Sequence, residues 1–544
     1  MRLGPLVAGS FLVLYAATAA IKCVAQVPAR LPGELAWTIG YDPKSFDPAK
    51  VDDIDSETVR YLTAGVLLRF NRLTQKVEPR LAESWNVSPD GRTITFRMRA
   101  GLRFSDGSAL TARDAAWSIE RVLQKDTAAP VAEEFVAPAG VRVDAPDDRT
   151  VIVHLPQRVI GVSRVFDEIA IEPAERPSEG RVTSGPFYLA DYKRSQYVRL
   201  RKNPYYELRD TSGAALPHAS GVLLHIIENP EEQIRLFERG EGDLIDQLSP
   251  DYFELLRHKA PESVRDLGPS LNTEQIWFNQ SLAAPLPAWE KAWFRNQAFR
   301  VAVSQAIHRD DIARLVYLGH ATPAYSFISP ANSVWYNRAL TAPHTDVAAA
   351  RAGLLRAGFY LQGGELEDGA GHPVRFSILT NAGNDARLKM ATLIQQDLAA
   401  MGIQVTVVTL DFPALIERLM KTQNYEACLL GLENVDIDPN EMMNIWLSSS
   451  PNHQWNPSEK TPATPWEAEI DKEMNLQATS RNAAVRKAAV DRVQQIVADK
   501  EPFIYLVYPD VLVAISPRLE GEQPAVIEPE LWWNAEDLRL RGTR

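Results

Sequence analysis

The stretch "ARLKMATLIQQDLAAMGIQVTVVTLDFPALIERLMKTQNYEACLLGL" (residues 386–432) decides the fold class. Its opening residues space their apolar side chains as a helix does. Met401-Gly402 stops the run, and "IQVTVVTL" follows as a strand. "PALIERLM" and "EACLLGL" then repeat the order helix, strand. Strands alternating with helices imply βαβ units and a largely parallel sheet. Their crossovers are right-handed, and ligands collect beyond the carboxyl ends of the strands. "LENVDIDPNEMMNIW" (432–446) comes directly after such a strand, so Glu433, Asp436, Asp438 and Glu441 are expected in a binding loop.

Three chemistries compete for those acids. A calcium loop needs Gly at its sixth position and a bidentate Glu at its twelfth, where this chain has Glu441 and Leu447. Pro439 restricts the residue before it further. A general acid and base need two carboxyls of separated pKa facing each other across a substrate, which spacing does not show. The structural reading is that the acids cap the helix "NEMMNIWL" and favour its positive end.

Towards the amino terminus the grammar differs. "ELAWTIG" (34–40) alternates as a strand, and "SETVRYLTAGVLL" (56–68) reads as a helix capped by Ser56. "RTITFRMR" (92–99) sets Ile94, Phe96 and Met98 on one face. "TARDAAWSIERVL" (111–123) is a helix with Thr111 as cap and Asp114 as the capping-box acid; Trp117 is expected inside, with Val122 or Ala116, and Arg113 outside. Residues 141–155 and 185–206 read as hairpins. Beyond the α/β stretch, 467–500 reads as two helices and 502–516 as a strand. The intervening "SSSPNHQWNPSEKTPATPW" (448–466) is a Pro/Ser-rich loop long enough to be functional or mobile.

The bulk properties agree with a large exported globular protein. A chain of 544 residues holds roughly three to five domains. With 45% hydrophobic and 24% charged residues it is neither disordered nor a membrane bundle. Residues 1–25 carry Arg2, an apolar run and small residues, the layout of a secretory signal with cleavage near Ala25. Lys22 before Cys23 is wrong for a lipidation site. Cleavage removes Arg2 and Lys22, taking the net charge from −12 to −14, and an acidic chain does not fit a nucleic-acid partner. Only Cys428 of the two cysteines would remain, so no internal disulfide is expected. There is no Walker loop, hydrolase elbow, HExxH or CxxC, and the nine His are scattered.

Several stretches together resemble the family 5 solute-binding proteins of ABC transporters, of the oligopeptide- and dipeptide-binding type. They are "SFDPAK" (45–50), "VEPRLAESWNVSPDGRTITFRMRAGLRFSDGSALTARDAAWSIERV" (77–122), "TSGPFYL" (183–189) and "NPYY" (203–206). "ERGEGDLI" (238–245), "IWFNQ" (276–280) and "FRNQAFRVAVSQAIHRDDIA" (295–313) continue the match in the same order. The resemblance implies an α/β clamshell of the periplasmic binding protein type II kind, with two mixed-sheet lobes and an extra β-rich domain. Domain I would combine 26–69, 182–280 and 500–544; domain II would be 70–181; domain III would be 281–499. The chain would cross between lobes near Phe278–Gln280 and Glu501–Phe503.

That resemblance implies a periplasmic, monomeric binding protein without cofactor, resident metal or enzymatic activity. It would hold a small peptide or peptide-like solute between its lobes and pass it to ABC permease subunits. A sugar, metal chelate or opine-like ligand is the alternative within the family. A secreted hydrolase using the 433–441 acids is the alternative outside it. Asp52, Ile54, Asp246, Gln247, Glu274 and Gln275 fall near binding positions of the first lobe, and Arg387 and Phe412 near those of the second. Peptide-binding members place an amine-reading aspartate four residues before the proline that matches Pro439. Here that position is Val435, with Asp436 one residue away and Glu433 and Asn434 as further substitutes; Asp438 is the last acid before the proline. The arginine of the preceding strand is replaced by Leu429, so the ligand is expected to differ from a standard peptide.

Overall fold

The computed structural model describes residues 28–135, 140–158, 162–174, 176, 179–342, 345–433 and 437–542. The expected signal, 1–25, lies outside these residues. Twelve strands form one continuous mixed sheet. In chain order they are β1 (Glu34–Ile39), β2 (Phe187–Lys193), β3 (Tyr197–Lys202), β4 (Gly221–Ile226), β5 (Leu244–Ile245) and β6 (Val264–Pro269). Then come β7 (Thr273–Phe278), β8 (Ala321–Pro323), β9 (Arg375–Asn381), β10 (Gln404–Leu410), β11 (Ala427–Leu432) and β12 (Phe503–Ile515). The spatial order is β10-β9-β11-β7-β12-β5-β1-β4-β3-β2, with β6 and β8 also pairing β12.

The long strand β12 divides the sheet into two lobes. Its carboxyl half pairs with β5 and β6, its amino half with β7 and β8, all antiparallel. The changeover is sharp: Asp510 pairs with Pro269, and Val507 pairs with Glu274. In the second lobe β9 runs parallel to both β10 and β11, as the alternation of helix and strand requires. The helix Asp385–Ala399 connects β9 to β10 and buries Met390, Ala391, Ile394 and Leu398. Gly402, at φ +80°, ends that unit where a Cβ would lie 2.6 Å from Leu361, so glycine is required there. In the first lobe β1 is parallel to β4 and β5, while β2 and β3 form the expected hairpin.

A separate four-stranded antiparallel sheet lies within Ala82–His154. Thr93–Met98 is one of its inner strands and buries Ile94, Phe96 and Met98 almost completely. At about 1.5–3 kcal/mol for each such side chain, this one face supplies much of the sheet's stability. The helix Ala112–Leu123 packs on it through Ala112, Ala115, Ala116, Ile119 and Val122. Asp114 closes its capping box, accepting from Thr111 N at 2.8 Å. Trp117 is only half-buried, contrary to expectation, and lies beside Arg121. The small residues at 112, 115 and 116 continue the stripe of Ile119 and Val122, and leave no room for an indole.

Two further expectations need correction. The first helix spans Ile54–Thr63, and its cap is Asp53, which accepts from Ser56 N. It stops at Thr63 because Leu68–Asn71 is already a strand, paired with Lys76–Pro79. The loop 448–464 carries Trp455 and His453 into the core.

Candidate functional site

The two lobes meet where the hairpin Leu68–Pro79, the C-terminal segment 526–530 and the second-lobe segments 329–333 and 437–438 converge. Phe70, Leu271, Ile437 and Ile527 pack into one small apolar cluster there. Gln75 donates to the Ala331 carbonyl at 3.0 Å and accepts from Ser333 Oγ at 3.2 Å. These contacts hold the segments of the junction together.

The charged side chains around this junction divide into those with counterions and those without. Arg69 and Arg72 both grip the buried Asp167, at 3.0 and 2.9 Å. Arg69 also lies over the Tyr61 ring at 4.0 Å, and Arg164 over Phe70 at 3.8 Å. Burial alone would raise the Asp167 carboxyl, but the two guanidiniums hold it below the usual range. Arg72 reaches across to the Glu528 carbonyl at 3.1 Å. These cations are therefore spent on the scaffold.

Four acids have no such partner. Asp246 accepts from Leu531 N at 2.8 Å, and Gln247 reaches Glu528 at 3.5 Å. Asp246 is pushed up to about 7 by burial, with Glu528 adding to the shift. Burial and Asp246 together raise Glu530 well above the carboxylate range, and its Oε2 is a buried acceptor without a partner among the described residues. Glu528 is raised by burial and then by Glu433, which approaches from the second lobe. Burial and their mutual repulsion thus favour the protonated form in the Asp246–Glu530 pair. Among the described residues none of these four acids has an ion pair.

The expected site residues behave unequally. Glu274 and Arg387, assigned to opposite lobes, form a bidentate pair: Nε to Oε2 at 2.9 Å and Nη2 to Oε1 at 3.0 Å. Arg387 also donates to Asn381 Oδ1 at 3.0 Å. Gln275 is fully buried on the other face of β7; it accepts from Thr273 Oγ1, and its amide nitrogen has no partner among the described residues. Asp438 caps the turn Pro439–Met442 and pairs with Arg486 at 2.8 Å, so it acts in the local fold. Asp52 is exposed and near Lys44; Ile54 and Phe412 are each 54% exposed, so Phe412 is no core residue. Glu433 is exposed, and Asn434 and Asp436 lie outside the described residues. Leu429 is fully buried in the second-lobe core.

The residues that sequence reasoning missed are Arg69, Arg72 and Asp167, and above all Glu528 and Glu530. "IEPE" (527–530) reads locally as a solvated turn; only the tertiary fold carries it beside Asp246.

Comparison with known proteins agrees with this architecture. The family model "Bacterial extracellular solute-binding proteins, family 5 Middle" matches residues 76–454. A probable ABC transporter-binding protein of Deinococcus radiodurans is 27% identical, covering 85% of this chain and 84% of that one. The probable D,D-dipeptide-binding periplasmic protein DdpA of Escherichia coli is 25% identical, covering 88% and 89%. Among solved structures, the ABC transporter substrate-binding protein CtaP of Listeria monocytogenes superposes with a TM-score of 0.76 at 22% identity, covering 94% of this chain and all of that one. NikA of Brucella suis, in complex with Fe(III)-EDTA, gives 0.77 at 19% identity, covering 92% and 99%. No helix among the described residues is long and apolar enough to cross a membrane. With a family model matched over most of its length and the two-lobed fold of such proteins, this chain belongs to the bacterial extracellular solute-binding proteins, family 5.

Proposed function

We propose that this protein is the periplasmic binding component of an ABC importer, that it takes a small cationic, peptide-like solute between its lobes, and that it delivers the solute to a membrane permease. The observation that carries the charge preference is the division of ions at the lobe junction. Arg69, Arg72 and Arg387 are ion-paired to Asp167 and Glu274, whereas Asp246, Glu433, Glu528 and Glu530 have no ion pair among the described residues, Arg72 acting on Glu528 only from a distance. An amine placed among them would recover the desolvation cost of the acids. Glu433 stands on one lobe and Glu528 on the other, so such a ligand bridges the cleft and favours the closed state, which is the condition for a ligand to shift the equilibrium.

Within this reading the lobes keep the expected order, 26–69, 182–280 and 500–544 against 281–499 with 70–181 as the extra domain, but not its boundaries. The pairing of β12 argues for moving the crossings to 269–273 and 507–510. Asn434 and Asp436 join the proposed ligand contacts with Glu433. Leu429, buried where peptide-binding relatives read a carboxylate, favours a second version of the proposal: an amine-bearing solute that is not a peptide.

Thermal-shift screening with a pool of short peptides, polyamines and uncharged analogues tests the proposal. Saturation at about 100 times Kd stabilises by roughly 2.7 kcal/mol. Cationic members should raise Tm and neutral analogues should not. Stabilisation by neutral sugars or anions, with none by any amine, refutes the charge preference.

A further inference from the structure

The loop 448–464, expected to be functional or mobile, is built into the interior. His453 and Trp455 are buried, with their rings 3.8 Å apart, and Trp455 packs on Trp446 and Phe503. His453 Nδ1 lies 2.8 Å from the Ile445 carbonyl oxygen. A carbonyl can only accept, so Nδ1 carries the hydrogen and Nε2 is the nitrogen left for another partner, with a lone pair in the neutral ring. That Nε2 is buried, and no hydrogen-bond partner for it exists among the described residues. Buried ring nitrogens are normally paired, so the orphan calls for an explanation.

It faces two carboxyls. Glu467 Oε1 stands 3.8 Å away, too far for a hydrogen bond. Glu459 brings the third group, and the three donor atoms lie within 4.8 Å of one another. Each side chain is held in place from behind. Glu467 accepts from Trp455 Nε1 at 3.0 Å and from Thr464 Oγ1 at 2.7 Å. Glu459 accepts from Ala463 N at 2.6 Å and from the Asn456 amide. A histidine whose second nitrogen is fixed by a backbone carbonyl is the usual posture of a metal-binding imidazole.

We propose that His453 Nε2, Glu459 and Glu467 form a divalent-cation site, best matched to zinc. One neutral imidazole and two carboxylates are a zinc-type ligand set, and bonds of about 2.1 Å in tetrahedral array put ligand atoms roughly 3.4 Å apart. The His453–Glu467 distance needs to contract by only a few tenths of an ångström to meet this. Water would complete the set from the side of Glu459, which is the partly exposed member. The ion would tie the loop to the amino end of the helix Pro465–Thr479. The other comparable group, Asp266, His320 and Asp510, lacks this character, because both nitrogens of His320 already bond carboxylates, at 2.6 and 2.8 Å. The site is built within the second lobe and does not depend on the proposed cleft ligand.

The test uses the full chain, stripped with a chelator and titrated calorimetrically with ZnCl2 alone. The expected result is one ion per chain with a rise in Tm. Glu459→Gln, at the partly exposed position, should fold normally by circular dichroism yet weaken binding at least tenfold. His453→Gln should do the same, while Asp266→Asn should leave binding unchanged. Absence of saturable binding overturns the proposal. So does binding that Glu459→Gln leaves intact, since the ion would then sit elsewhere.

Discussion

Replacing Asp246 with Asn should stabilise this protein, by an amount that grows as pH rises from about 4 to about 7 and then stays constant. In the folded state the carboxyl is pushed up to about 7 by burial, with Glu528 adding to it, against an unperturbed 3.8. Between those values the folded chain holds a proton that the unfolded chain has released. Stability therefore falls as pH rises across this window, since the slope has the sign of protons bound unfolded minus protons bound folded. One pH unit is worth about 1.4 kcal/mol, so the window of about three units sets an upper bound near 4 kcal/mol. Glu530 competes for protons at the same place, so the expected gain is roughly 2–4 kcal/mol at pH ~8 and close to zero at pH ~4. Asn keeps the shape of the protonated acid, and its oxygen can still accept from Leu531 N. Urea unfolding of parent and variant across this pH range measures the difference directly. A variant destabilised at pH ~8, or stabilised equally at both ends, refutes the raised Asp246 carboxyl.

Two other perturbations have defined outcomes. Arg387→Met leaves Glu274 buried without its counterion and should cost about 3–5 kcal/mol in chemical unfolding, with part recovered by adding Glu274→Gln; a loss below about 1 kcal/mol contradicts the pairing. His320→Gln addresses a ring that burial would discharge but that Glu254 and Asp266 keep charged, raising its pKa. Its stabilising effect is full below pH 6.5 and disappears as pH rises through the folded pKa, so the variant should lose about 2 kcal/mol near pH ~5 and progressively less in alkaline buffer. A deficit that grows with pH contradicts the imidazolium.

Local periodicity carried the strands and helices far. Ile94, Phe96 and Met98 alternate because one face of their strand is buried, and a period of two can be read without knowing what covers it. Strand β7 shows where that stops. Both of its faces are buried, and Glu274 and Gln275 enter it because their partners come from elsewhere, Arg387 in the case of Glu274. A pattern within six residues holds no record of a counterion more than a hundred residues away. The cleft acids follow the same rule. Asp246 was found through resemblance, but Glu528 and Glu530 flank Pro529 in a stretch whose charge looks like ordinary solvated surface. Trp117 failed for a smaller reason: hydrophobic size outweighed the helical stripe formed by the alanines beside it.

Strand β12 has one more consequence, in time rather than in space. It is the central strand of the sheet, yet it begins only at Phe503 of a 544-residue chain. Until those residues have been made, β6 and β8 lack the strand they hydrogen-bond, and β5 and β7 have only their other neighbours, β1 and β11. The separate sheet within Ala82–His154 can form earlier, but the ladders of the two lobes stay unjoined until β12 is in place. Joining of the two lobes into one sheet then rests on the same thirteen residues, which come late in the chain.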